Sequence, residues 1–201
     1  MKSQNVLMML IVFAALNLTH CVSFTTFQTP EVMEKGEAKA GVGVSGYGSG
    51  GIGVIDIYGR WGLGGQTDLG LKIAGIPPFF LLKGDVKYQF MEDPLNMSAS
   101  MGVSYMGLDG NSTYGFYPMV LAGGQHFYGG LKGIFFSGRF SLEDEDGDTT
   151  FSTDFATEKP LIGAVLGARF GKKLQVLPEV NFYGGSDTDL MLVYGVGLQF
   201  N

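Results

Sequence analysis

Few side chains in this sequence are of a kind that does chemistry. There is one cysteine, Cys21, and there are two histidines, His20 and His126. A lone thiol cannot close an internal disulfide. Nucleophilic catalysis needs an activated hydroxyl or thiol beside a base, and no serine falls convincingly beside His126. The run Glu143-Asp144-Glu145-Asp146-Gly147-Asp148, with Asp154 beyond it, is rich in the oxygen ligands that Ca²⁺ prefers. Asp144, Asp146 and Asp148 make it at most a weak cation loop, because the regular calcium-loop spacing and its distal Glu are missing. A solvated surface loop over 141–158, open to an external ligand, is the better reading, and no metal site is expected. Gly41-x-Gly43 and Gly195-x-Gly197 sit inside extended segments and not at a strand-to-helix turn. They are therefore read as packing glycines, not as a phosphate cradle, and no cofactor is expected.

The chemistry that remains is ionic. Lys39, Asp56, Arg60, Asp68, Lys72, Lys83, Asp85, Lys87, Lys132, Arg169 and Glu179 recur through the chain with a regular relation to their apolar neighbours. What positions them follows from composition and period.

A chain of 201 residues suits one domain with a core. Glycine is unusually common at 33 residues, aromatics reach 13%, and charged residues are only 16% against a typical ~25%. That composition excludes a charged disordered tail, a coiled coil and a basic nucleic-acid binder. Lys2 followed by the 13-residue apolar run Val6–Leu18 has the form of a secretory signal, too short to span a bilayer as a helix. The expected organisation is a signal peptide over 1–20, a leader over 21–35 and a single domain over 36–201. Loss of residues 1–20 removes Lys2 and no acid, so the net charge goes from −6 to −7. Nucleic acid is a poor partner for such a chain.

The domain reads as ten segments of period two, the strand signature. In 81–90, Leu81, Lys83, Asp85, Lys87 and Gln89 alternate with Leu82, Gly84, Val86, Tyr88 and Phe90. In 66–75, Asp68, Gly70 and Lys72 alternate with Leu69, Leu71 and Ile73. Segments with two or more charges keep them on one parity: Asp56/Arg60, Asp68/Lys72, Lys83/Asp85/Lys87, Lys173/Glu179. Chance would give that about one time in thirty on the period-two template. Segments 113–122 and 125–140 are weaker. The first carries Pro118, and a bulge near Phe136 would improve the second. Pro178 raises the same caution in 173–182.

A sheet with one polar and one apolar face either packs its apolar faces together in water or closes with them outward in lipid. Three features favour lipid. Small residues crowd the charged face, as a narrow lumen requires. Turns at one end are short (Gly64-Gly65, 92–95, Gly123-Gly124, Gly171-Lys172), whereas the other end receives 46–51, 76–80, 108–112, 141–158 and 184–188. Aromatics fall at strand ends: Trp61, Phe90, Phe127, Phe170 and Phe200 at one rim, and Tyr105, Phe135 and Phe182 at the other. The expected fold is an all-β, transmembrane, antiparallel up-and-down barrel of about ten strands in outer-membrane lipid. The listed charges line its lumen, and the N-terminus lies on the periplasmic side.

The signal-like start, the alternating strands and the end Gly195-x-x-Leu198-x-Phe200 resemble small bacterial outer-membrane β-barrel proteins. Cys21 after the apolar run resembles the lipid-modified cysteine of bacterial lipoproteins, with Leu18 fitting the preceding motif and His20 departing from it. The resemblance implies a bacterial outer-membrane location, insertion by a barrel-assembly machinery and lipidation at Cys21. It implies no substrate. The expected role is structural or surface-interaction without catalysis. A narrow, weakly anion-favouring pore is the alternative, and a lipid-modifying barrel enzyme using His126 is third.

Overall fold

The computed structural model describes residues 25–47, 53–76, 79–108, 111–143, 149–156, 160–185 and 188–200. Cys21, Asp144, Asp146 and Asp148 lie outside the described residues. Eleven strands form one antiparallel sheet: β1 Ala38–Tyr47, β2 Val54–Gly64, β3 Thr67–Ile76, β4 Phe79–Met91, β5 Asn96–Leu108, β6 Asn111–Gly123, β7 Phe127–Glu143, β8 Thr149–Ala156, β9 Leu161–Ala168, β10 Leu174–Gly185 and β11 Thr188–Phe200. Consecutive strands pair along the chain except β8 and β9, which both pair with β7, and β1 pairs with β11, so the sheet closes on itself.

The closed ring has ten staves, not eleven. β7 pairs with β9 through Phe127–Ile134 and with β8 through Ser137–Glu143. β8 and β9 thus follow one another along the same edge of β7 and share a position in the wall. Closure through β1 and β11 removes the free edges of the ten-stave wall, the condition for exposing strands to hydrocarbon, while β8 pairs with β7 alone among the described residues.

The alternation settles which face looks out. Leu71 is 41% exposed and Val86 is 47% exposed, while Lys72 and Asp85 are 5% and 7% exposed. Ile55, Ile57, Leu69, Met101, Val103, Leu131, Leu166 and Val196 join the outer apolar band. An apolar surface that wraps a closed barrel, with the ionic residues buried inside, is that of a transmembrane β-barrel. The aromatics expected at the rims, from Trp61 to Phe200, are all on the outer face.

Several details differ from the sequence reading. The connections opposite the start of β1 are not generally long. Only two residues separate Ile76 from Phe79, Leu108 from Asn111 and Gly185 from Thr188. Most of 141–158 is not a loop, because β7 runs on to Glu143 and pairs with β8. Phe136 needs no bulge. The β6–β7 register is constant from Gly123↔Tyr128 to Ser112↔Arg139, and Phe136 turns inward to meet Tyr117 edge-on at 5.9 Å. Pro118 is accommodated where the β6–β7 ladder skips it, while it still faces Met101 on β5. Pro178 marks a similar interruption between β9 and β10, where pairing resumes at the Phe170–Val176 bridge.

The turn between β2 and β3 shows why the short ends are tight. Gly65 and Gln66 both have positive φ, 59° and 61°, the backbone of a two-residue hairpin turn whose twist matches its strands. Here the end of the barrel with the β2–β3, β4–β5, β6–β7 and β9–β10 turns is called proximal, and the other distal.

The lipid-facing assignment predicts a measurable asymmetry. Leu71→Arg, near mid-strand on the outer face, should cost about 2–4 kcal/mol in lipid, read as a shift in reversible urea unfolding in phosphatidylcholine vesicles. A neutral result would mean that this face meets water.

Candidate functional site: a lumen filled from both ends

The lumen has two tiers. The distal tier is apolar. Val54, Ala74, Leu81, Tyr117, Ile134, Tyr183 and Val193 are buried together, with Met106, Phe136, Leu161 and Met191 packed against them. This differs from the sequence reading of a polar interior throughout. Leu81 and Val193 share parity with the charges, but they sit in the distal parts of β4 and β11, where the barrel interior is closed by side chains.

The proximal tier is ionic. Arg60 on β2 pairs with Asp68 on β3 and, at 2.8 Å, with Asp85 on β4. Lys87 reaches the other oxygen of Asp68 at 3.3 Å. Lys72 pairs with Asp56 at 2.8 Å. Gly70 leaves the room these groups need, since a Cβ there would meet both the Arg60 guanidinium and the Asp85 carboxylate. All these side chains are nearly inaccessible to water. Their mutual attraction therefore acts against a large desolvation cost, and removal of one partner strands the other.

The leader is the element that sequence reasoning missed. Residues Thr25–Gln28 are buried inside the barrel, and the chain descends from there to the proximal mouth before turning into β1. The wall answers it atom by atom. The N–H groups of Thr26 and Phe27 donate to the two oxygens of Glu179, at 2.5 and 2.8 Å. Lys72 donates to the Thr25 carbonyl at 2.9 Å, and Arg60 to Gln28 Oε1 at 2.9 Å. Lys87 donates to the carbonyls of Thr29 and Glu31 at 2.8 and 2.6 Å. The Val32 N–H donates to Gln89 Oε1 at 2.8 Å. At the mouth, Arg169 holds the Glu31 carboxylate with two bonds of 3.0 and 2.8 Å, and Asn96 donates to it at 3.3 Å. A segment with no strand of its own thus has six of its backbone groups met by lumen side chains.

Phe27 anchors the segment. It is 1% exposed and stacks on Tyr58 with ring centroids 5.7 Å apart. Its ring lies over Gly43, Gly195 and Gly197, each of which would collide with it if it carried a Cβ. Phe27 itself has φ of 46°, in the left-handed region that costs a non-glycine residue about 1–2 kcal/mol. Burial of the ring, worth roughly 1.5–3 kcal/mol, offsets that strain. Farther down, Gly62 admits the backbone of Glu34, whose carbonyl oxygen a side chain would strike.

Glu179 ties the tiers together. It also accepts from Tyr128 Oη at 3.2 Å and Asn181 Nδ2 at 2.8 Å. Tyr183 donates to Asn181 at 3.2 Å, and Lys132 to Tyr183 at 3.4 Å.

Of the charges read from the sequence, Asp56, Arg60, Asp68, Lys72, Lys83, Asp85, Lys87, Lys132 and Glu179 are brought together in the lumen. Lys39 is only half-buried, and Arg169 belongs to the proximal mouth, not the interior. His126 is exposed in the β6–β7 turn, away from the lumen. Among the described residues no group of three or more His, Cys, Asp or Glu could hold a metal ion.

No family model and no curated protein matches the chain. Among solved structures, a KdgM porin is similar at 14% identity over 81% of this chain and 98% of that chain, with a TM-score of 0.45. The outer membrane protein opdK from Pseudomonas aeruginosa is similar at 12% identity over 78% of this chain and 60% of that one, TM-score 0.32. The N-terminal β-barrel domain of OprF from the same organism is similar at 13% identity over 84% of this chain and all of that one, TM-score 0.30. These are likenesses of fold.

Two outcomes follow from the site. Asp68→Asn, which leaves Arg60 and Lys87 without their shared carboxylate, should destabilise the barrel by about 3–5 kcal/mol in urea unfolding. Glu179→Gln should loosen the leader while the wall stays folded. A cysteine at Thr26, in a Cys21→Ser background, is expected to resist a water-soluble maleimide in the parent and to react in the Glu179→Gln variant.

Proposed function

We propose that this chain is a bacterial outer-membrane β-barrel with a structural and surface-interaction role, closed to solutes and without catalysis. In this reading the proximal end faces the periplasm. The observation that carries it is double closure: the leader fills the proximal lumen, and an apolar layer from Val54 to Val193 fills the distal lumen. Either alone would obstruct an aqueous path. A hydrophobic constriction excludes ions even where some width remains.

The surface for contacts is the distal end, which carries the β7–β8 pair; in the sequence the acidic run of Asp144, Asp146 and Asp148 falls between these two strands. An external ligand there would be one that tolerates or seeks negative charge. The partners in the envelope are membrane lipid around the apolar band and an assembly machinery that reads the last strand, β11, through Gly195, Leu198 and Phe200.

Lipidation of Cys21 and docking of the leader are alternatives in this reading. Thr25 sits at the level of Asp56, about seven residues of β2 above the proximal rim, or roughly 17 Å of barrel height for a tilted strand. The four steps from Cys21 to Thr25 reach at most about 14 Å, and residues 26–32 already occupy the way down. An acyl chain on Cys21 in the periplasmic leaflet therefore requires an undocked leader. The docked protein is expected to carry an unacylated N-terminus, which intact-mass measurement of the mature chain reads directly.

A second reading, a narrow anion-favouring pore, is supported by the buried cations Arg60, Lys72, Lys83, Lys87 and Lys132 against Asp56, Asp68, Asp85 and Glu179. Planar-bilayer recording separates the two. The closed barrel should be silent, and Glu179→Gln should stay silent because the apolar tier is untouched. Discrete, salt-dependent conductance in the parent, altered by neutralising Lys83 or Lys87, would overturn the closed reading.

A further inference from the structure

Lys83 stands apart from the ion-paired network around it. It is buried on β4, and no carboxylate of the described residues lies within ion-pair distance of its ammonium. Its neighbour across the β3–β4 ladder is Lys72, a second cation on the same face. Like charges directly opposite one another repel. Lys72 is answered by Asp56, whereas the Lys83 ammonium has the face of the Tyr117 ring at 5.0 Å. An ammonium has three donors and no acceptor, and a ring face is a partial substitute for an anion.

Beside these residues lies a small internal cavity between the leader and the wall. Its volume, as room for the centre of a water-sized sphere, is about 10 Å³, enough for one water molecule or one monatomic ion. Thr26, Gln28, Arg60, Lys72, Lys83 and Asp85 line it. The Thr26 hydroxyl is buried and has no hydrogen-bond partner. Gln28 Oε1 already accepts from Arg60, and one oxygen of Asp85 is taken by the same guanidinium. The other Asp85 oxygen and the Tyr58 hydroxyl, also on the lining, remain as acceptors. The charge balance is what distinguishes an anion from water: Arg60, Lys72, Lys83 and Lys87 stand against Asp56, Asp68 and Asp85, and only an anion cancels the charge left over.

We propose that this cavity is a structural binding site for one monovalent, monatomic anion of the chloride class, held by Lys83 and the Thr26 hydroxyl and favoured by Arg60 and Lys72. The ion offsets the Lys72–Lys83 repulsion and ties the leader to the wall. The proposal does not depend on whether the barrel conducts, because the site lies between the docked leader and the wall.

Bromide is the probe. The full chain, purified in detergent, is melted in sodium bromide and in sodium gluconate at equal ionic strength, and bromide-soaked crystals are measured at the bromine edge. The expected results are an anomalous peak in contact with the Lys83 ammonium and a melting temperature that rises with the logarithm of bromide concentration, as binding to the native state alone requires. Lys83→Met should lose the bromide-specific rise and be at least as stable as the parent in gluconate. Identical melting in the two salts, or the absence of a peak at this cavity in the parent, would sink the proposal whether or not the variant folds. So would a bromide-specific rise that survives in Lys83→Met.

Discussion

A charge taken out of water must be met by another charge or by several hydrogen bonds, and the rest of this structure follows from that requirement. The barrel turns its apolar face to lipid, so its polar face has nowhere to go but inward. Ten staves enclose too little space for these side chains to keep a full shell of water. The ionic residues therefore answer one another, Arg60 with Asp68 and Asp85 and Lys72 with Asp56, and the remaining capacity is taken up by the leader. Glu179 illustrates the point. No cation bonds to it directly among the described residues. Instead two backbone amides, a phenol and a carboxamide converge on its two oxygens.

This makes the leader a part of the core and not an appendage. In a soluble protein an extended segment with no secondary structure of its own would keep to the surface, where water satisfies its backbone. Inside the barrel the wall's lysines and glutamine take the place of water. The apolar contribution is concentrated in Phe27, and the wall is cut away to receive it at three glycines on two adjacent strands. The proximal tier is held by polar pairing around one aromatic anchor. The distal tier is an ordinary close-packed apolar cluster. The two halves of the lumen thus use different physics to the same end.

The face of each residue was legible from parity, because a closed barrel imposes one direction on each of the two sets and charges cannot tolerate the outer one. That is why Lys83, Asp85 and Lys87 could be placed inside before their partners were known. The path of the leader was not legible. Thr25-Thr26-Phe27-Gln28 has no period, and its partners lie up to 153 residues away along the chain. Yet it left an imprint. The glycines at 43, 195 and 197 read as a lumen too narrow for side chains, when they are the mould of one ring. The distal apolar tier had a signal too. Leu81 and Val193 break the polar parity in the distal parts of their strands, and such breaks mark where an interior changes from ionic to apolar. Loop length is not legible from composition, because Pro77-Pro78 has the sequence of a longer loop whereas β3 runs to Ile76 and β4 starts at Phe79.

The same argument bears on whether the lumen could open. Removal of the leader would leave Glu179 without two of its donors and Lys87 without both carbonyl partners, while Arg60, Asp68 and Asp85 would still hold one another. Water could enter the proximal half and satisfy what the leader had satisfied, so that half is the more easily hydrated. The distal half has no such route, because Val54, Ile134 and Val193 gain nothing from water and lose their mutual contacts if separated. In the closed reading proposed above, the barrier to permeation lies in the apolar tier more than in the leader. A leader that merely blocked a pore would have little reason to be so thoroughly bonded. Bonding of this density is what a segment needs when its task is to complete the interior of the wall around it.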